Sequence, residues 1–286
     1  MTVDEEGRQP AAVEAELNYL APGSTLNRRY VAPGAEFNTG SYESHRVPIR
    51  NGRAAGHEFT LDTHGFVHGR RASGIVDFRD KAEVDARYPA EVHRLVQELT
   101  GADLVIGLGW MRRTSGATGA TVQPPASDVH VDMSHDRAHR LARTLYDKAR
   151  PGEAGYHRFV ATSLWRPFSE PPHDWPLAVC DGRSVDASEG VANVMVVVDA
   201  LPDRAAIPAE LPNSESLPAA SVFHFSAKHR WWYFPRMARD EFILLKLHDS
   251  DHSRAWRVPH TAFRDTSLTN ARVRESIEFR TVAYFL

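Results

Sequence analysis

The chain has 286 residues, 42% hydrophobic and 25% charged, with 18 Gly and 18 Pro, the composition of an ordinary globular protein rather than a collagen-like, coiled-coil or disordered one. A chain of this length buries roughly 75% of the surface its unfolded form exposes, enough for one large core without staples. Its net charge of −3 offers no general attraction for nucleic acid or an anionic membrane.

The first ten residues are acidic and polar, the wrong start for a secretory signal. The best apolar run, Val194 to Val198, is strand-sized and far short of the roughly 18–20 residues a membrane helix needs. A single cysteine, Cys180, excludes an internal disulfide, points to a reducing cytosol, and reads as a small buried apolar side chain. A cytoplasmic protein is expected. The 15 His are a surplus compatible with metal or acid–base chemistry.

Residues 1–80 place Gly, Pro, Asn, Arg and His between short apolar stretches such as Gly74-Ile75-Val76-Asp77-Phe78. They read as a loop-rich N-terminal extension with a few short strands, packed on a main domain of residues 81–286. Tyr88 to Thr100 carries Val92, Leu95, Val96 and Leu99 at helical spacing, with Pro89 near the start and Gly101 past the end, and predicts an amphipathic helix. Asp103 to Leu108 reads as a buried strand. Residues 113–127 form a long loop, a possible lid. Ser134 is the expected N-cap of a second helix striped by Ala138, Leu141, Ala142 and Leu145, stopping before Pro151-Gly152.

From residue 156 onward the pattern is strand-like: Phe159 to Leu164, Leu177 to Cys180, Val191 to Val198, Ser221 to Phe225, Trp231 to Phe234, Phe242 to Leu247, Arg257 to Phe263 and Ser276 to Phe285. Strands in series argue a mainly β protein with flanking helices, built as an antiparallel sandwich or barrel. The last segment alternates, with Arg274, Ser276, Glu278 and Arg280 on one face and Ile277, Phe279 and Thr281 on the other.

A mononuclear Fe(II) oxygenase needs two His and one carboxylate on one side of the metal. Asp128-Val129-His130-Val131-Asp132 supplies a His-X-Asp pair that strand alternation points to one side. Chance alone supplies about one such pair in a chain of this composition. The far end of the chain adds weight. Val258-Pro259-His260-Thr261-Ala262-Phe263 places a His in a strand, and Arg274-Glu275-Ser276 follows. An Arg with a hydroxyl two residues on is what the distal carboxylate of 2-oxoglutarate needs.

Trp165-Arg166-Pro167, Asp174-Trp175-Pro176-Leu177, His229-Arg230-Trp231-Trp232-Tyr233-Phe234-Pro235, Lys246-Leu247-His248-Asp249, Pro259-His260-Thr261-Ala262-Phe263 and Arg274-Glu275-Ser276-Ile277-Glu278 together resemble a family of secondary-metabolite non-heme iron oxygenases. That family contains the small subunit of the cephamycin 7α-methoxylation system, a fungal gibberellin desaturase and a fungal meroterpenoid endoperoxide synthase. The resemblance runs from Leu17 to Leu286. It implies a double-stranded β-helix, a jelly-roll or cupin-like barrel, using Fe(II), 2-oxoglutarate and O2.

On this resemblance His130 and Asp132 open the second barrel strand, Trp231 to Met237 and Phe242 to Leu247 are the fifth and sixth, His260 lies on the seventh, and Arg274 and Ser276 on the eighth. His229 competes with His260 as third ligand; His260 is preferred because it precedes Arg274 by about one strand–turn–strand distance. His248 stands where the family more often has an aromatic residue and is not read as a ligand. His135 and His139, spaced i, i+4, could bind metal and are read as a solvated helix face. Arg166 and Trp232 are candidate substrate contacts. The implied activity is hydroxylation or desaturation of a natural product, first of all at position 7 of a cephalosporin nucleus beside a methyltransferase-like partner. A terpenoid, polyketide or peptide substrate is the alternative, as is a barrel-fold accessory subunit that binds a partner enzyme.

Overall fold

The computed structural model describes residues 10–117 and 122–286. Part of the loop read as a lid therefore lies outside the described residues. In chain order come β1 (Ala12–Leu20), β2 (Arg28–Ala32), β3 (Ala35–Asn38), β4 (Tyr42–Asn51) and β5 (Phe66–Arg70), then helix α1 (Lys81–Thr100). Next are β6 (Leu104–Thr114), β7 (Val122–Gln123), β8 (His130–Val131) and helix α2 (His135–Ala149). The remainder is β9 (Arg158–Pro167), β10 (Leu177–Cys180), β11 (Val191–Val197), β12 (Ala219–Val222), β13 (Trp231–Tyr233), β14 (Glu241–Asp249), β15 (His260–Ala262) and β16 (Glu275–Phe285).

The strands form a ten-stranded sheet in the order β1-β4-β13-β10-β15-β8-β12-β11-β2-β3 and a six-stranded sheet in the order β5-β14-β9-β16-β6-β7. From β8 onward the chain passes repeatedly from one sheet to the other, which winds it into a double-stranded β-helix. Leu177, Val179 and Trp232 of the larger sheet share one apolar cluster with Trp165, Ile243, Leu245 and Val282 of the smaller one. The other face of the smaller sheet, with Leu164, Leu244, Ile277 and Phe279, packs on Val84, Tyr88, Val92 and Val96 of α1. Strand alternation explains the division: neighbours in β9, β14 and β16 serve opposite layers.

Two elements differ from the sequence reading. Helix α1 begins at Lys81 rather than Tyr88, because the Asp80 side chain caps the backbone N–H groups of Ala82 and Glu83, and Pro89 lies inside it. The hydrogen bond that Pro89 deletes is offset by burial of the α1 stripe, each such side chain contributing roughly 1.5–3 kcal/mol. Residues 12–70 carry five strands, two of them nine and ten residues long. In β1 the buried positions Val13, Ala15, Leu17 and Tyr19 alternate with Glu14, Glu16 and Asn18, residues of low β-propensity that weaken the pattern. Pairing supplies what propensity lacks: β4 adds in parallel to β13, and β2 in parallel to β11. Helix α2 starts at the Ser134 cap, whose side chain accepts from Arg137 N–H. Among the described residues no helix is long and apolar enough to cross a membrane.

Candidate active site

His130 and His260 face each other directly across the β8–β15 ladder, and opposed residues of an antiparallel pair project to the same side. Asp132, two residues on, returns to that side. The result is a compact trio: His130 Nε2 lies 3.4 Å from Asp132 Oδ1, His260 Nε2 lies 4.0 Å from Asp132 Oδ2, and the imidazole centroids are 4.5 Å apart. One ligand atom from each of the three falls within 4.8 Å of the others.

The surroundings orient these atoms. His130 Nδ1 bonds the Asp128 carbonyl at 2.7 Å and His260 Nδ1 bonds the Val258 carbonyl at 3.1 Å. Each Nδ1 therefore carries the proton, and each Nε2 presents its lone pair to the trio, the arrangement found behind metal-bound imidazoles. Burial and the neighbouring His130 push His260 down to about 4, which keeps it neutral. Burial opposes ionisation of Asp132, but the Arg280 guanidinium and the two imidazoles override it and hold the carboxyl well below the usual range. Burial opposes protonation of His130, but Asp132 overrides it and holds this imidazole above its ordinary value; neutral imidazoles and an ionised carboxylate are the forms that would ligate an ion.

Arg280 Nε donates to Asp132 Oδ2 at 2.9 Å, and its other arm donates to Glu278 Oε1 at 2.6 Å. Arg113, from β6, donates to Glu278 through Nε and a terminal nitrogen at 3.2 and 3.3 Å. This chain of alternating charges links the β6–β16 pair of the small sheet to the Asp132 carboxylate. The signal available for Glu278 and Arg280 was the polar face of the last strand.

Arg274, 1% exposed, lines the same cleft as His130 and His260. One terminal nitrogen donates to the Trp175 carbonyl at 2.8 Å, while Nε is buried with no hydrogen-bond partner among the described residues. Among the described residues no carboxylate forms an ion pair with it. Burial and the nearby Arg113 pull this guanidinium down to about 9, the mark of a cation that lacks an anion. Ser276 Oγ is likewise buried and unpartnered. An orphaned guanidinium and an orphaned hydroxyl two residues apart fit a carboxylate ligand. The cleft holds about 20 Å³ of free volume, room for about one water.

Other sequence candidates lie elsewhere. His229 bonds Tyr19 Oη at 3.2 Å and Glu189 Oε2 at 2.7 Å and takes no part in the trio. Arg166 faces the opposite layer, donating to the Arg71 carbonyl and covering the Tyr88 ring of α1, because its neighbour Trp165 takes the cleft side. Trp232 shares the cross-strand row of His260 across Val179, but its ring packs on Phe59 and His57, two strands away. Cys180 is buried, and burial pushes its thiol up to about 12, as expected of an inert core cysteine.

Residues 17–284 match the family model described as "Oxidoreductase/YMDC permease-like domain". The hydroxylase/desaturase efuI of Hormonema carpetanum is 30% identical, with 97% of this chain and 96% of that protein covered. The Fe(II)/2-oxoglutarate-dependent dioxygenase nvfI of Aspergillus novofumigatus is 31% identical over 95% of this chain and 96% of its own. The chain belongs to this oxygenase family. Within it, the solved structure of the iron and alpha-ketoglutarate-dependent endoperoxidase NvfI superposes with a TM-score of 0.80 at 28% identity, covering 96% of this chain and 98% of the other. The oxygenase-family fold is therefore shared along 96% of the chain.

Proposed function

We propose that this family member is an Fe(II)- and 2-oxoglutarate-dependent oxygenase that hydroxylates or desaturates an unactivated C–H bond of a small natural product. The observation that carries the reading is the meeting, in one cleft, of the His130–Asp132–His260 trio with the orphaned Arg274 guanidinium. His130, Asp132 and His260 are the proposed iron ligands, a two-His, one-carboxylate set that leaves positions open. Arg274 and Ser276 are the proposed anchor of the distal carboxylate. When bound, iron and 2-oxoglutarate supply the oxidation: O2 is consumed, the co-substrate loses CO2 to become succinate, and the substrate C–H is oxidised. The chain's own part is to hold three ligand atoms in register, orient the dicarboxylate, and keep the cleft dry.

The fungal relatives are named for hydroxylation, desaturation and endoperoxidation, which supports a natural-product substrate. The cephalosporin nucleus is the first member of the substrate panel, assayed with and without a methyltransferase-like partner, beside terpenoid, polyketide and peptide scaffolds. The first experiment is an anaerobic Fe(II) titration followed by 2-oxoglutarate, monitored by the weak visible metal-to-ligand charge-transfer band. The band is expected in wild type and absent in His130→Ala and Asp132→Ala, both variants keeping nearly wild-type stability. Wild-type iron affinity in either variant would remove the ligand assignment.

A further inference from the structure

We propose that His135, His248 and His252, with His139 beside them, form a second metal site, for a divalent transition ion of the zinc, nickel or copper type. The site shares no residue with the His130–Asp132–His260 trio. His135 and His139 stand one turn apart on α2, His248 lies near the end of β14, and His252 follows in the connection to β15. One ligand nitrogen from each of His135, His248 and His252 lies within 4.8 Å of the other two. His139 Nε2 is 3.2 Å from His248 Nε2. Two nitrogens each about 2.0–2.1 Å from a tetrahedral centre are separated by about 3.3 Å, so this spacing suits a shared ion.

A solvated helix face accounts for His135 and His139 alone. It does not account for two further imidazoles converging on them from the end of β14 and the turn that follows it. His248 is 1% exposed, and its Nδ1 is buried with no hydrogen-bond partner among the described residues, an orphaned polar atom that native interiors rarely tolerate. Burial and the surrounding imidazoles push His248 down to about 3, so it presents lone pairs rather than charge. Trp256 stacks on His252 at 4.3 Å, and Phe159 packs along His248 at 5.5 Å, which limits the rotamers open to both rings. An all-imidazole set with no carboxylate selects borderline first-row ions over calcium or magnesium. His135 and His252 are exposed, leaving a solvent path for entry.

Such an ion would fasten α2 to the β14–β15 connection. Asp132 lies just before α2 and His260 just after that connection, so the two segments that carry ligands of the trio would be tied behind it. The test uses full-length, metal-stripped protein titrated with Co(II) alone, read by visible absorption and by metal content after desalting. His135→Ala with His252→Ala is expected to take up one equivalent fewer than wild type, the affinity of that equivalent falling by more than the roughly 10–100-fold that loss of an outer-shell partner costs. In His130→Ala with Asp132→Ala the second-site equivalent is expected to remain, with the intense band of low-coordinate Co(II). Counting by variant separates failure of this site from failure of the trio. His135→Phe with His252→Phe keeps the aromatic packing on Trp256 and repeats the count if the alanine pair unfolds. Equal uptake and affinity in wild type and the folded His135/His252 variant overturns the proposal.

Discussion

Replacing Arg274 by Met separates a binding role from a structural one, because the two predict opposite signs. The guanidinium is buried and, among the described residues, donates to no carboxylate and makes one side-chain hydrogen bond, to the Trp175 carbonyl. Removing a buried charge that is poorly paired relieves desolvation, and an apolar side chain of similar volume is then neutral or stabilising. Co-substrate affinity should move the other way. Truncating one partner of a buried, hydrogen-bonded charge pair costs about 2–5 kcal/mol, which is a loss of roughly 30- to 4,000-fold in 2-oxoglutarate affinity. Ser276→Ala removes a neutral hydrogen bond worth about 0.5–1.5 kcal/mol, roughly 2- to 12-fold. The assay is the charge-transfer titration under argon, with iron affinity and the urea midpoint measured on the same preparations. A variant that binds 2-oxoglutarate normally, or that loses iron and 2-oxoglutarate affinity equally, would refute the reasoning and move the anchor elsewhere.

Three further outcomes follow from geometry already described or from contacts of the same kind. Arg280→Gln removes the cation holding Asp132 and is expected to weaken iron binding about 10–100-fold with a much smaller effect on the urea midpoint; unchanged iron affinity would deny Arg280 a positioning role. Glu241 is buried, but hydrogen bonds from Arg53 and the Ala238 N–H override that burial and hold its carboxyl below the usual value. Its stabilising effect is therefore complete above the unfolded value near 4.5 and lost as pH falls below it. The gap in urea midpoint between wild type and Glu241→Gln should stay constant near neutrality and close on acidification, and a gap independent of pH would contradict the assignment. Gly65 has φ +85°, and an added Cβ would meet Val258 Cγ2 at 2.4 Å. Gly65→Ala should cost about 1–3 kcal/mol, read as a lowered Tm.

The parts of the site legible in the sequence were those governed by the period of a single strand. His130 and Asp132 fall on one side by alternation, and Arg274 and Ser276 do likewise. The choice of His260 over His229 rested on spacing along the chain, and the β8–β15 register that brings His260 opposite His130 is not written in either segment alone. Arg113 was illegible for the same reason. Its approach to Glu278 depends on the β6–β16 register, which slips where Arg280 pairs with Gly109 and Thr281 with Gly107. Arg166, by contrast, could have been placed: with Trp165 turned to the cleft, the next residue in a strand must face away. The His135–His248–His252 cluster needed the third dimension, since a helix, a strand end and a turn supply its members.

The pairing of the N-terminal strands bears on how the chain acquires its fold. Arg28 awaits Val194 and Ile49 awaits Trp231, so during synthesis β2 and β4 emerge long before the strands that will hold them. Loop closure over such separations is slow and comes late in folding. Until then the β1–β4 hairpin presents an unpaired backbone edge, the kind of surface that recruits other chains. Yield in heterologous expression should therefore depend on holding that edge soluble until the barrel strands arrive. Removing the N-terminal strands would not merely trim an appendage but would leave raw both ends of the large sheet.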